Sequence, residues 1–208
     1  MPDASRGELM KYRLWLISTL FALLLAVPSA VRADVWEIDP THTTVEFTVR
    51  HMTISSVRGQ FNKVAGTITA TDKDPKSVVI EATIQTASID THSADRDADL
   101  KSPNFLDVAK YPTMTFKSTG IEAAGPGKWK VIGNLTLHGV TRPVTLAVDG
   151  PSGPVKDPWG NTRAGAVATT KVSRKAFGLT WNKLLETGGA VVGDEVSVTI
   201  NVEAVKKK

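Results

Sequence analysis

The sequence predicts an all-β domain of about eight antiparallel strands, closed on itself or folded into a sandwich, with a short helical insert around residues 90–110. Three observations carry this. A period-two apolar alternation dominates after residue 34, turn signals recur at short intervals, and alternation stops in one stretch only.

The chain before residue 34 reads differently. Residues 14–27 form an uncharged apolar run, preceded by Lys11 and Arg13 and followed by Pro28, Ser29 and the small-residue site Val31-Arg32-Ala33. This is the pattern of a secretory signal peptide over 1–33, too short for the roughly 20 residues of a spanning helix. Cleavage after Ala33 is expected, leaving one domain over 34–208. Starting at Met10 would place MKYR directly before the apolar run, so Met10 is the expected initiator. No second run of that length follows, so the mature chain is expected to be exported, periplasmic and free of transmembrane segments. No cysteine is present, which excludes disulfides, thiol nucleophiles and a lipoprotein anchor.

In Thr44-Val45-Glu46-Phe47-Thr48-Val49-Arg50 the apolar side chains share one face, as a half-buried strand requires. The same pattern recurs over 78–85, 128–137, 144–148 and 196–203, and more weakly over 57–71, 112–122 and 162–173. Turns are expected at Asp72-Lys73-Asp74-Pro75, Gly125-Pro126-Gly127, His138-Gly139, Gly150-Pro151-Ser152-Gly153-Pro154 and Gly188-Gly189. Between residues 90 and 110 the charges Asp95, Arg96, Asp97, Asp99 and Lys101 surround Leu100, Phe105, Leu106 and Val108, which predicts one or two short helices. Asp90 or Thr91 is the expected helix cap. An insert of that size cannot cover the apolar face of eight strands, so the sheet must bury that face against itself.

Little in the sequence points to chemistry. His42, His51, His92 and His138 form no HxxxH or HExxH pair, so no metal site is expected. Ser88, Asp90 and His92 lie close together, but no GxSxG elbow accompanies them, and a triad is defined by spatial roles. No GxGxxG or P-loop pattern occurs, and no cofactor is expected. Removing the leader's four cations and two acids from the formal charge of +4 leaves +2, which argues against a nucleic-acid partner. The acids around Arg96 read more simply as an ion-pair cluster pinning the insert than as a substrate clamp.

A series of short motifs runs through the chain, beginning with Trp36-Glu37-Ile38-Asp39, His42, Val45, Phe47, His51 and Arg58-Gly59-Gln60-Phe61. It continues at Ser88-Ile89-Asp90-Thr91, Arg96-Asp97, Leu100, Phe105, Asp107 and Tyr111-Pro112. Its longest run is Gly133-Asn134-Leu135-Thr136-Leu137-His138-Gly139-Val140-Thr141-Arg142-Pro143-Val144, followed by Arg174, Phe177-Gly178 and Gly193-Asp194. Taken in this order, the residues resemble the YceI-like family of exported polyisoprenoid-binding proteins. Two positions depart from the family pattern: Asp99 stands where a His usually precedes Leu, and Ala176 where an Asp usually precedes Phe-Gly.

The resemblance implies a lipocalin-like antiparallel barrel that holds a long isoprenoid or similar amphiphilic lipid in its interior. Alternation then nominates the wall: Val45, Phe47, Val49, Ile80, Ile84, Phe116, Trp129, Leu135, Leu146, Val198 and Ile200, with Phe105 and Leu106 of the insert capping one end. Arg58, Arg96 and Arg174 are the cations nominated to meet a charged or quinone-like head at the mouth. Asp99 would repel a pyrophosphate if it faced that mouth. Two alternatives stand beside the carrier reading. An enzyme acting on the lipid would need a histidine and an acid converging inside the barrel, and a structural or interaction barrel would have its interior filled. A homodimer is compatible with such a barrel, although no sequence feature requires one.

Overall fold

A computed structural model describes residues 33–208 apart from 72, 73 and 187; the expected leader with Met10 lies outside the described residues, as do Asp72 and Lys73 of the first turn signal. Eleven strands follow one another: β1 (Asp34–Ile38), β2 (Thr44–His51), β3 (Ser55–Phe61), β4 (Val64–Ala70), β5 (Val79–Gln85), β6 (Ile89–Asp90), β7 (Thr113–Gly125), β8 (Lys128–Leu137), β9 (Val140–Lys156), β10 (Thr162–Ser173) and β11 (Val192–Lys206). One α-helix, α1 (Ala94–Lys101), sits in the insert.

Eight of these strands close a ring in the order β1-β4-β5-β7-β8-β9-β10-β11, sealed where β1 pairs with β11. Every pairing is antiparallel. The barrel expected from the resemblance is therefore present, and closure removes the free sheet edge that a sandwich would keep. The remaining strands form a leaf. β2 pairs with β11 beyond the stretch that β1 occupies, β3 pairs with β2, and the two-residue β6 pairs with β3.

Three local expectations are corrected. The segment 57–71 is two strands, broken at Asn62 and Lys63, whose backbone bonds turn towards Ser88 and Gln85. The segment Gly150–Pro154 is not a turn. β9 runs through it with shifted register against β10 and ends only at Lys156, where Asp157 organises the reversal. Helix α1 is capped at Ser93 rather than at Asp90 or Thr91.

Thr91 instead anchors the insert. It is 3% exposed, and its backbone N–H and hydroxyl donate to Asp97 Oδ1 at 2.9 and 2.6 Å. Arg96 completes the knot, its Nε donating to the Thr91 hydroxyl and its Nη2 to the Thr91 carbonyl, both at 2.7 Å. Such a knot lets a short charged helix lie against the barrel without an apolar face of its own. Beneath it Ile89, Leu106, Met114, Leu137, Phe177 and Leu179 pack into one buried cluster that plugs this end. At the β8–β9 reversal His138 and Gly139 both take positive φ, 51° and 74°, the pattern of a tight hairpin turn matched to strand twist.

Candidate functional site

The period of two places one face of every ring strand inside, and the interior is not filled. A lumen of about 330 Å³ runs within the barrel. That is at the lower end of the roughly 300–1,000 Å³ of small-molecule sites, and a narrow bore suits a thin linear chain better than a bulky ring system. Its polar lining residues are Thr43, Thr170 and Arg174; all others are apolar.

Of the nominated wall residues, Val45, Phe47, Val49, Ile80, Ile84, Phe116, Leu135, Leu146, Val198 and Ile200 border this lumen, as do Phe105 and Leu106 of the insert. Trp129 does not. β5 pairs with β7 only as far as Lys117, so the outer half of the β7–β8 hairpin runs past the ring. Trp129 lies on that overhang, donates its indole N–H to the Gly150 carbonyl at 2.9 Å, and borders a separate groove with His42, Arg163 and Glu203. Sequence reasoning missed Ile38, Phe61, Val64, Ile68, Met114 and Val144, which the same parity reaches once each strand is extended. It also missed Leu179 and Val192, which lie in or beside the β10–β11 connection, where no alternation marks them.

The three nominated arginines separate. Arg58 pairs with Thr48 on the outer face, because Val57, Gly59 and Phe61 take the inward positions of β3. Arg96 is committed to Thr91 and does not border the lumen. Arg174 does. It is 5% exposed, and its guanidinium donates to the carbonyls of Gly193 and Trp181 at 2.9 Å, of Val192 at 3.3 Å, and of Leu179. Burial lowers its pKa, opposed by the charge of Asp194, yet a guanidinium remains protonated in a protein. One positive charge thus sits at the plugged end of an otherwise apolar bore. Asp194 itself is held below the ordinary carboxylate range: burial would raise it, but the Lys175 N–H and the Ser173 hydroxyl bind the charged form.

The two departures from the family pattern lie outside the lumen. Asp99 is on the exposed side of α1, so its charge does not face the bore. Ala176 borders an outer groove, where its carbonyl accepts from Arg142 Nε at 3.2 Å.

None of the four histidines lines the lumen. His42 Nδ1 lies 2.8 Å from Asp39 Oδ2 on the outside, His92 is exposed, His51 ends β2, and His138 packs on Tyr111 with ring centroids 4.5 Å apart. The histidine–acid convergence that an interior enzyme would need does not form. Ser88 is bound into the backbone through Gln85 and Lys63 rather than to His92. Asp39, His42 and Glu203 bring three possible metal ligands together, but Arg163 Nη1 already donates to both carboxylates at 2.6 Å and supplies the positive charge there.

The motifs quoted along the sequence now coincide with a closed barrel and an apolar lumen, and a family match spans both. Residues 36–204 match the YceI-like domain. The chain belongs to the YceI-like family. Protein YceI of Salmonella newport is 40% identical over 192 residues, covering 91% of this chain and 96% of the relative. The solved structure of the Campylobacter jejuni YCEI protein superposes with a TM-score of 0.63 at 30% identity, covering 76% of this chain and 90% of that one. The fold is also that of a polyisoprenoid binding domain from Saccharophagus degradans, with a TM-score of 0.59 at 16% identity over 83% of this chain and 98% of that one. Among the described residues of this YceI-like chain no helix is long and apolar enough to cross a membrane.

Proposed function

We propose that this YceI-like protein is an exported, periplasmic carrier that holds a long isoprenoid or similar amphiphilic lipid in its barrel, with no chemistry of its own. The observation that carries the reading is the lumen itself: a narrow apolar bore with Arg174 as the one charged lining residue among the described residues. Each methylene-sized group taken from water is worth roughly 0.8 kcal/mol, so even partial enclosure of a prenyl chain drives binding. Summing that over a whole tail would exceed the practical affinity ceiling, so the argument fixes the ligand's class and not its dissociation constant.

Four of the five guanidinium N–H groups of Arg174 are committed to carbonyls. The remaining Nη2–H suits an oxygen-bearing head, so the head is oriented towards the plugged end while the tail follows the bore. The fold shared with a polyisoprenoid binding domain supports the same class of ligand.

The test is native mass spectrometry of the protein purified from its own periplasm without detergent, followed by solvent extraction. A stoichiometric isoprenoid or quinone-like lipid is expected. Recovery of empty protein that also ignores added prenyl lipids would overturn the proposal and leave a barrel whose fold alone is shared.

A further inference from the structure

Resting on the carrier reading, we propose that the plugged end of the barrel docks on an anionic phospholipid bilayer through two neighbouring loop tips, Ile54 and Leu184. Both side chains are unusually bare for their size, 78% and 88% exposed. They belong to one platform. The Met52 N–H donates to the Val191 carbonyl at 2.8 Å, Leu184 bridges to Ala190, and a Cβ on Gly189 would lie 3.8 Å from Thr53 Cγ2. The β2–β3 turn and the hairpin before β11 therefore present their apolar tips side by side.

The platform is wired to the lumen. Three residues before Leu184, Trp181 packs against the lumen-lining Phe105 with ring centroids 5.0 Å apart, and its carbonyl accepts from Arg174. A lipid with negligible solubility in water has to be collected from a bilayer or delivered to one, and an apolar contact beside the bore meets that need. Charge assists: Lys183 adjoins Leu184, and exposed Arg50 is held at the turn by the Thr53 carbonyl and the Ser56 hydroxyl. Exposed Glu186 on the same hairpin opposes them, so insertion of the apolar tips leads and charge comes second. A stable protein partner would need about 800 Å² on each side, which two tips do not offer, and neither tip borders the lumen or either outer groove.

The full-length mature protein is floated with vesicles of phosphatidylethanolamine and phosphatidylglycerol, and with vesicles of phosphatidylcholine. Wild-type protein is expected to float with the anionic vesicles. Ile54→Ser combined with Leu184→Ser should weaken partitioning at least about tenfold, and Lys183→Glu about fivefold at low salt. Trp159→Ser serves as the control. Trp159 is equally bare, but it lies beyond the other end of the twelve-residue β10, roughly 40 Å away, and its replacement should change nothing.

Wild-type protein that fails to bind anionic vesicles, or a double variant that binds as well as wild type, overturns the proposal. So does a double variant that loses self-association instead of vesicle binding, which would make the tips a protein interface. Lipid content is measured on the same preparations. Lipid-loaded protein that does not float defeats docking alone, whereas empty protein that rejects prenyl lipids defeats the carrier reading.

Discussion

The ring of Phe47 reaches over Gly59 on the neighbouring strand, so close that a Cβ at Gly59 would stand 2.5 Å from Phe47 Cζ. The same device recurs at Gly133, where a Cβ would meet Phe116 Cζ at 2.4 Å. All four positions carry inward parity, and both rings border the lumen. Each glycine gives its neighbour's ring a place along the wall, which keeps a large aromatic residue out of the middle of a narrow bore.

Gly59→Ala should therefore act on both stability and capacity. The atoms closest to the new methyl belong to the side chains of Phe47 and Thr91, so the ring must swing away from the wall. Overpacking of this kind costs about 1–3 kcal/mol. Denaturant titration should show that loss, and lipid recovered per protein should fall with it. A folded variant with unchanged lipid content would show that the ring's position does not limit the bore.

Ala82→Trp tests the bore without the glycine. Ala82 lines the lumen on β5, opposite Gly66 on β4. A ligand that binds only the native state raises the melting temperature in proportion to the logarithm of its concentration. Added prenyl lipid should raise the melting temperature of delipidated wild-type protein and leave the folded Ala82→Trp variant unmoved. Equal shifts in both would argue that lipid binds elsewhere.

The wall was legible in the sequence because alternation encodes it directly, strand by strand. Trp129 shows the limit: parity tells which way a side chain points, not whether the ring still surrounds it at that height, and β8 outruns β5 there. The run from Gly150 to Pro154 has the composition of a turn, yet the hydrogen-bonding partner offered by β10 carries the strand through it. Arg58 and Arg174 look alike in sequence. The outward direction of Arg58 follows from Val57, Gly59 and Phe61, where a glycine interrupts the apolar signal. The burial of Arg174 depends on carbonyls of residues 179–193, which only the folded connection brings to it.

That dependence makes Arg174 a sharp test of what holds the plugged end. Arg174→Met keeps much of the bulk but strips donors from four carbonyls, and a buried acceptor left unpaired costs about 1–3 kcal/mol. Losses within one network do not add, so a total of about 3 kcal/mol or more is the expectation, seen as a lower denaturation midpoint. Hydrogen exchange should quicken first over residues 179–192. Arg174→Lys should recover only part of the stability, since an ammonium presents three donors without the planar fork. Full rescue by lysine would show that the charge, and not the set of carbonyl bonds, is what this site requires.

Towards the opposite end Arg163 clamps the outside of the β1–β11 seam, and this clamp is predicted to fail in acid. Its side chain is 18% exposed and joins Asp39 after β1, Asp157 after β9 and Glu203 on β11, at 2.6, 2.7 and 2.6 Å. Hydrogen bonds from Thr41, His42 and Arg163 hold the Asp39 carboxyl well below its ordinary range, and Arg163 lowers Asp157 to about 2. A carboxylate whose folded pKa lies below its unfolded value of 3.8 adds stability that is complete above that value. The contribution declines as pH falls below it and is gone once pH passes the folded value of about 2. Denaturation midpoints should therefore be flat at neutral pH, fall steeply from about pH 4 downwards and still be falling at pH 2, because Asp39 is held lower than Asp157. In Arg163→Met the midpoint at pH 7 should already be lower and the acid decline much shallower, because the largest downward influence on Asp157 and one of those on Asp39 have gone. A variant with the wild-type acid profile would show that Asp39 and Asp157 owe their low pKa values to other neighbours, and that the β1–β11 seam closes without this clamp.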